Sequence, residues 1–327
     1  MIDRSGHAPQ ASGKDACVAS LGCDARRNNV AMLLLVLCLS LVPRSATAQT
    51  PQCLTMSQAH EAAKAQLGDR QTVNTLARAA EKGCADLMRT LIGEGAPVNA
   101  RRREGDAALH HAVRSGNREI VQLLLDAGAD IEQRDLAGVT ALTAAIEAGR
   151  DANVAELLRR GAKPEAPGRS GASPLTVAAF FGREAVAAEL LALKVAVDTE
   201  DNTGKDALTY ACARGFTRIV RRLIDAGADP NRRHAHALTA LTWAAGHSND
   251  VPESDGLATV ELLLARGADI NAADDRGRTA LMTAAELGRE GIVRRLLAAG
   301  ADERLRDSQG KSALDLAEPP VRPLLGG

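Results

Sequence analysis

Three histidines lie close enough in sequence to be considered as ligands of one metal ion: His234, His236 and His247. Protein ligands must approach such an ion to within about 2 Å. The segment before His247 is predicted to be a helix of about eight residues, which would separate its ends by roughly 12 Å. The three cannot share one ion, and His234 with His236 alone would form a weak site. We therefore predict that the chain binds no metal.

The motifs of common enzyme classes are missing from the sequence. It contains no GxxxxGK[ST] phosphate loop, no HExxH and no CxxC, and GRSGA at residues 168–172 breaks the GxSxG spacing of a serine hydrolase. The many carboxylates fall in Gly-Ala-Asp turns and on helix faces predicted to be solvated. Because no nucleophile, base and orienting group can be assembled, we expect a protein that is not an enzyme and uses no cofactor.

Composition narrows the classes of partner. A formal net charge of -1 gives no overall attraction to nucleic acid or to acidic membranes. Hydrophobic residues make up 45% of the chain but aromatic residues only 2%, so small aliphatic side chains must fill a core of closely packed short helices. Arginine greatly outnumbers lysine and alanine is abundant, which is typical of a GC-rich bacterial genome.

Residues 26–48 have the features of a secretory signal peptide. Basic residues precede an apolar run from Val30 to Val42, and Ala46 and Ala48 form a small-x-small cleavage site. The run is too short to span a bilayer as a mature helix. We predict that residues 1–48 are a leader and signal peptide that is removed on export. A plain hydrophobic helix is the alternative, and residues 1–25 are either a true leader or a start-site artefact.

Two markers recur with the same period along the rest of the chain. The first is a leucine that opens a short helical pattern, spaced by 33 residues except for one interval of 40. The second is a Gly-Ala pair, whose one missing copy falls at Lys194. Two markers that share one period and one slip of seven residues indicate internal repeats. The leucines are Leu76, Leu109, Leu142, Leu175, Leu208, Leu241, Leu281 and Leu314.

Each repeat reads as two short helices. In residues 138–161, Thr140 can cap the first helix, Gly149 makes the turn, and a second helix ends at Gly161, where a left-handed glycine closes it. Such a pair is too small to bury its own apolar face. Neighbouring pairs must therefore stack into an array.

The repeats resemble those of the ankyrin family. Residues 135–162, DLAGVTALTAAIEAGRDANVAELLRRGA, and 274–302, DDRGRTALMTAAELGREGIVRRLLAAGAD, follow its pattern of D-x-x-G, T-x-L, an A-A helix, G, a second helix and G-A-D. The resemblance implies an all-α solenoid of stacked antiparallel helix pairs with β-hairpin-like loops, about seven full units and a truncated last one. We assign residues 49–74 to a capping segment and 75–327 to the array. The units lie near 75–101, 102–134, 135–167, 168–200, 201–233, 234–273, 274–306 and 307–327.

The sequence departs from the family pattern at several points. His110 alone fills the family's histidine position, which threonine takes in the next four units, so the bonds of that histidine must be made by hydroxyls or lost. Lys194 is expected in a left-handed conformation, at a cost on the order of 1 kcal/mol. The extra residues of the sixth unit, about Ser248 to Ser254, should form a longer turn between its helices. The last unit should break at Pro319.

All aromatic residues lie between positions 180 and 243. Phe180 and Phe181 occupy positions that face the concave groove in ankyrin arrays, so we expect them to be exposed as anchors for a partner. The alternative is that the missing glycine at Lys194 distorts this unit and buries both rings in the core. Tyr210 and Trp243 occupy a first-helix position where the family places large residues, and packing against the core is favoured for both. Arginine-rich loops at 101–103 and 232–233 should assist binding. The predicted protein-binding residues are Phe180, Phe181, Tyr210, Trp243, Arg214 and His247.

Three cysteines remain if cleavage follows Ala48. Cys212 lies in a packed Ala-Ala position and is predicted to be buried. Cys84 follows a turn glycine, at a position expected to be exposed, and Cys53 precedes a predicted capping helix at 54–67. An oxidising compartment permits one disulfide, and Cys53 with Cys84 is the pair predicted to form it.

The resemblance to ankyrin arrays, which are adaptors or inhibitors of partner proteins, implies a protein-binding function. We expect an exported, periplasmic, monomeric scaffold that binds an unidentified protein through its concave face, with no nucleic acid and no membrane contact after cleavage. The alternative is a secreted effector that binds host proteins. A periplasmic scaffold and a secreted effector can both carry a signal peptide, so the sequence fits either one.

Export should remove the first 48 residues. We expect protein recovered from the periplasm or the medium to begin at or near Gln49, because the small side chains of Ala46 and Ala48 fit the signal peptidase site. N-terminal sequencing after cell fractionation checks this. Full-length protein retained in the cytoplasm would contradict it.

Overall fold

The computed structural model describes residues 50–66 and 68–326. The predicted leader and signal peptide, at residues 1–48, lies outside the described residues. Within the described part there are 16 α-helices, none of which is both long and apolar enough to cross a membrane. In chain order they are α1 (Pro51–Ala63), α2 (Asp69–Lys82), α3 (Ala85–Gly93), α4 (Ala108–Ser115), α5 (Arg118–Asp126), α6 (Ala141–Glu147), α7 (Asp151–Arg159), α8 (Pro174–Phe180), α9 (Glu184–Ala192), α10 (Ala207–Ala213), α11 (Thr217–Asp225), α12 (Ala240–Ala245), α13 (Glu253–Ala265), α14 (Ala280–Glu286), α15 (Glu290–Ala298) and α16 (Ala313–Leu316).

The helices from α2 to α16 form seven pairs and a final half pair. Within a pair the two helices pack side by side, and each first helix packs on the first helix of the next unit. The second helices form a parallel row of contacts in the same order. The described residues contain no strand, so the predicted repeat solenoid of stacked helix pairs is confirmed.

Polar side chains fix the start of the first helices. Thr140, Ser173, Asp206, Thr239, Thr279 and Ser312 each accept a hydrogen bond from the backbone N–H three residues later. In the second unit Ala107 has no such oxygen, and its N–H instead donates to Nδ1 of His110 at 3.3 Å. Because Nδ1 accepts, Nε2 carries the proton and donates to the carbonyl of Val139 in the next unit at 3.1 Å. The threonines that replace His110 bond only within their own unit in the described structure.

The core is a row of leucines held between successive first helices. Leu76, Leu109, Leu142, Leu175, Leu208, Leu241 and Leu281 are at most 2% exposed. Branched residues of the second helices, such as Ile120, Val121 and Leu124, are fully buried behind them. Leu314 holds the same position in the last unit but is 40% exposed. No further helix pair covers that unit among the described residues, so its leucine is left partly in water.

Hairpin-like loops join the units along one edge of the stack. In each loop the backbone N–H of the first turn residue bonds to the carbonyl four residues later, as from Asp135 to Val139 at 3.0 Å. An isolated antiparallel bridge joins Ala273 and Thr279. Several loops also bond to the loop before them, as from Ser308 N–H to the Arg276 carbonyl at 2.8 Å. These bonds pair backbone groups that helix packing alone would leave unsatisfied.

The N-terminal cap is a helix tied covalently to the first unit. Cys53 in α1 and Cys84 at the start of α3 form a disulfide, with Cα atoms 5.3 Å apart. Closing a loop of this length stabilises the fold by roughly 3.5–4 kcal/mol in the chain-entropy model. The expectation that Cys84 is exposed was wrong. It is 2% exposed, because α1 packs over α3 at this point.

Three boundaries differ from those expected. The capping helix begins at Pro51 rather than 54, and α2 begins at Asp69, so the array starts before residue 75. The insertion of the sixth unit is a longer turn over residues 246–252, as predicted, but Glu253 and Ser254 already belong to α13. This helix is longer than the other second helices because it takes up the end of the insertion. Lys194 has φ 58°, the left-handed conformation expected.

Truncating the buried leucine should cost far more at an internal unit than at the end. We expect Leu208→Ala to lower the free energy of unfolding by about 2–5 kcal/mol, because the cavity lies between two packed helices. The matched change Leu314→Ala should cost about 1 kcal/mol or less, since water already reaches that side chain. Urea denaturation followed by circular dichroism measures both. Equal losses at the two positions would contradict the stacked-core account.

Candidate protein-binding surface

Six side chains from units four to six meet on the face formed by the first helices. We call this group the aromatic surface. Phe180 ends α8, Phe181 follows it, and Tyr210 and Trp243 hold equivalent positions in α10 and α12. The surface consists of Phe180, Phe181, Tyr210, Trp243, Lys205 and Arg214.

Three of the rings make edge contacts with one another. The ring centroids of Phe180 and Phe181 are 5.0 Å apart with planes at 83°, and those of Phe180 and Tyr210 are 5.4 Å apart at 87°. Phe180 is 38% exposed and Phe181 is 40% exposed. The predicted exposure of both rings is therefore what the structure gives. Tyr210 and Trp243 are half-buried, and Trp243 packs against the core as favoured from sequence.

Two cations lie over the faces of these rings. The Lys205 ammonium is 5.6 Å from the centroid of Tyr210 and 5.0 Å from that of Trp243. The guanidinium of Arg214 is 5.5 Å from the centroid of Phe180 and also bonds to Asp250 of the insertion at 3.2 Å. At these distances the negative ring faces attract the cations. Two positively charged side chains, Lys205 and Arg214, thus lie beside the rings of the aromatic surface.

Lys205 was missed from sequence because it lies in a loop. It follows Gly204 in the hairpin-like turn that precedes α10, five residues before Tyr210. Its position within the repeat could have identified it, because the loop of a unit lies on the same face of the stack as the first helix of that unit. Phe216 is aromatic but does not belong to the aromatic surface. It lies at the start of α11, against Gly182, and is half-buried away from the other rings.

A partly buried hydrogen bond fixes the orientation of Tyr210. Its hydroxyl donates to Oδ2 of Asp201 at 2.6 Å. Burial raises the pKa of Tyr210, and the Asp201 carboxylate raises it further because it accepts the phenolic proton. Burial alone would raise the pKa of Asp201, but bonds from Tyr210, Thr203 and the backbone of Lys205 hold it below its usual value. The ring is therefore held in place by a carboxylate that stays charged at neutral pH.

The placement of His247 in the binding set was wrong. Its side chain is only 1% exposed, because the insertion folds the ring inward against α13. The Cβ that any other residue would place at Gly256 lies 2.6 Å from the ring, so the packing there is tight. Burial lowers the pKa of His247, and nearby Arg289 lowers it further, so the ring is neutral. His247 supports the insertion and cannot contact a partner.

Most of the arginines expected to assist binding are used within the fold. Arg102 forms an ion pair with Asp106 at 2.9 Å, and Arg101 donates to the Gly105 carbonyl at 3.3 Å. Arg232 pairs with Asp198 at 2.8 Å, and Arg233 donates to a loop carbonyl of the next unit. These contacts tie the arginines to the loops of the fold.

The histidines considered as ligands also have structural neighbours. His234 is buried, with its ring nitrogens 3.6 Å from Glu200 and 3.5 Å from Asp206, whereas His236 is exposed and lies 3.1 Å from Asp275. Over residues 50–66 and 68–326 no group of three or more His, Cys, Asp or Glu side chains is placed to hold a metal ion. Cys212 is free and buried.

Comparison with known families identifies the repeat. Models described as ankyrin repeats match residues 50–135, 76–168, 158–234 and 175–253, and two further ankyrin models match 237–275 and 263–317. Among solved structures, the ankyrin repeat domain of Bcl-3, described as a unique member of the IkappaB protein family, is similar with a TM-score of 0.56 and 26% identity. The match covers 68% of this chain and 99% of that one. A search of curated proteins gives no match.

Tyr210 is the one tyrosine of the chain, so its ionisation can be followed alone. We expect it to titrate above its ordinary value of about 10, because both burial and the charge on Asp201 oppose loss of the proton. In Asp201→Asn the pKa should fall toward the ordinary value. Tyrosinate absorbance during alkaline titration measures it, with circular dichroism to show that the fold persists. An ordinary pKa in the folded protein would refute the partly buried bond.

Proposed function

The chain belongs to the ankyrin-repeat family, and we propose that it is an exported scaffold that binds a partner protein through the aromatic surface. Ankyrin repeats imply a protein-binding role, and none of the matching models describes a catalytic domain. The proposal adds the place of binding, the compartment and a role as adaptor or inhibitor of the partner.

The observation that carries the proposal is the exposure of two adjacent phenylalanines in a chain with few aromatic residues. Fully burying a Phe side chain contributes about 1.5–3 kcal/mol, and each of these rings still has more than a third of its surface to bury, which short or charged side chains cannot match. In units three and seven the position of Phe180 is taken by Glu147 and Glu286. Core packing does not require a ring there, because those units pack equally well without one. A solvent-facing anchor that the fold does not need fits an interface hot spot.

Two features support export. One is the predicted signal peptide at residues 26–48. The other is the disulfide between Cys53 and Cys84, since disulfides persist in oxidising compartments and are rare in a reducing cytosol. Both features fit periplasmic residence, which we propose, and equally fit a secreted effector that binds host proteins. Fractionation distinguishes the two, because a periplasmic protein stays with the osmotic-shock fraction and an effector appears in the medium.

The test is the double variant Phe180→Ala/Phe181→Ala. We expect binding to a partner captured from periplasmic extract to weaken at least tenfold, because both anchors are lost. Thermal stability should change little, since each ring is more than a third exposed. Surface plasmon resonance with the mature protein measures the affinity, and a thermal melt measures the stability.

The control is Leu193→Ala. Leu193 is 52% exposed in the same unit but lies at the end of the second helix, away from the aromatic surface. It should bind the partner as the wild type does. If the double variant also binds normally, or if it unfolds early, the aromatic surface is not the docking site.

A further inference from the structure

We propose that the aromatic surface recognises a short acidic segment of its partner, in which a carboxylate lies within a few residues of an apolar side chain. The carboxylate would pair with Lys205 and the apolar side chain would pack on Phe180 and Phe181. This inference rests on the proposed function and names the chemistry of the partner. It follows from the charges that border the rings.

Lys205 carries a charge that the fold does not neutralise. Lys205 forms no ion pair with a carboxylate of the described residues, and it is half-buried with its ammonium over two rings. The two nearest aspartates in sequence are engaged otherwise: Asp201 accepts from Tyr210 and Thr203, and Asp206 caps α10 through Thr209. The Lys205 ammonium, partly desolvated over two rings, is therefore free to bind an anionic group of the partner.

The same arrangement disfavours a cationic ligand. An aromatic surface of this size could bind a lysine or a quaternary ammonium through its ring faces. Here Lys205 already covers the faces of Tyr210 and Trp243, and Arg214 covers the face of Phe180. An incoming cation would meet like charge at each of these three rings. An incoming carboxylate would meet two cations instead, and Arg214 could exchange its exposed partner Asp250 for it.

The spacing fits one stretch of extended peptide. Tyr210 contacts both halves of the surface, since its ring centroid is 5.4 Å from that of Phe180 and 5.6 Å from the Lys205 ammonium. The Phe180 ring and the ammonium are therefore no more than about 11 Å apart, a distance that two to four residues of extended chain can span. A single segment can therefore place its apolar side chain on the phenylalanines and its carboxylate at Lys205.

A displayed library of random peptides tests the charge preference directly. The mature wild-type protein is used to select binders, and the selected sequences are compared with the unselected library. We expect enrichment of Asp or Glu within four residues of a large apolar residue. The tightest selected peptide, synthesised with a fluorophore, is then measured by fluorescence polarisation against each variant.

Lys205→Gln should weaken binding of this peptide at least fivefold, and Lys205→Arg should restore it to within twofold because the charge is kept. Lys311→Gln is the matched control, since Lys311 holds the same loop position in the last unit, where no aromatic residue is near. It should bind as the wild type does. Raising the salt concentration should weaken wild-type binding more than binding by Lys205→Gln, because exposed charges are screened and the variant keeps only the charge of Arg214.

The outcomes separate this inference from the function beneath it. Selected peptides that are neutral or basic, or equal binding by Lys205→Gln, would overturn the acidic preference while loss of binding in Phe180→Ala/Phe181→Ala still supports the docking site. Binding that survives the double phenylalanine variant, or a library from which no peptide is retained, would overturn both.

Discussion

Burial of one leucine per unit between consecutive first helices is the contact on which the whole array depends. A single helix pair has no second layer of its own, so Leu208 is shielded only because α8 and α12 flank α10. Stability in such a stack is approximately the sum of unit and junction contributions. Every position that faces a neighbour is therefore committed to packing, and the residues left for other purposes are those on the loops and the open side of the first helices.

The residues of the aromatic surface occupy positions that the packing between units does not require. Tyr210 and Trp243 share a face because the repeat period places equivalent side chains side by side, although they are far apart in sequence. Phe180 lies one helical turn beyond the equivalent position in its own unit and contacts the Tyr210 ring. The loop register adds Lys205 to the same face, and the insertion adds Asp250 beside Arg214. A periodic scaffold thus brings together four aromatic rings and two cations with no change to its core. Function here depends on departures from the repeat, and the fold depends on its regularity.

The period, the helix pairs, the caps and the left-handed Lys194 could all be predicted from sequence, because each has a local signature or a repeated spacing. The exposure of Phe180 and Phe181 followed from their register in the unit. The errors arose where contacts between distant segments decide the outcome. Cys84 is buried because α1 folds over it, and His247 because an insertion without counterpart in other units turns it inward. No periodicity encodes either contact, and the role of Lys205 required knowing which loop faces which ring.

The two ends of the array are fastened very differently. The first unit is covered by a helix that the Cys53–Cys84 disulfide attaches covalently, whereas the last unit is a half pair with its leucine partly in water. Local opening in a linear stack begins at the unit with the weakest junction and spreads to its neighbour. Local unfolding should therefore start at the half pair and proceed toward the N-terminal cap. A protease or a pulling force applied at the half pair would then act on one unit at a time, whereas at the cap it would have to act against the disulfide.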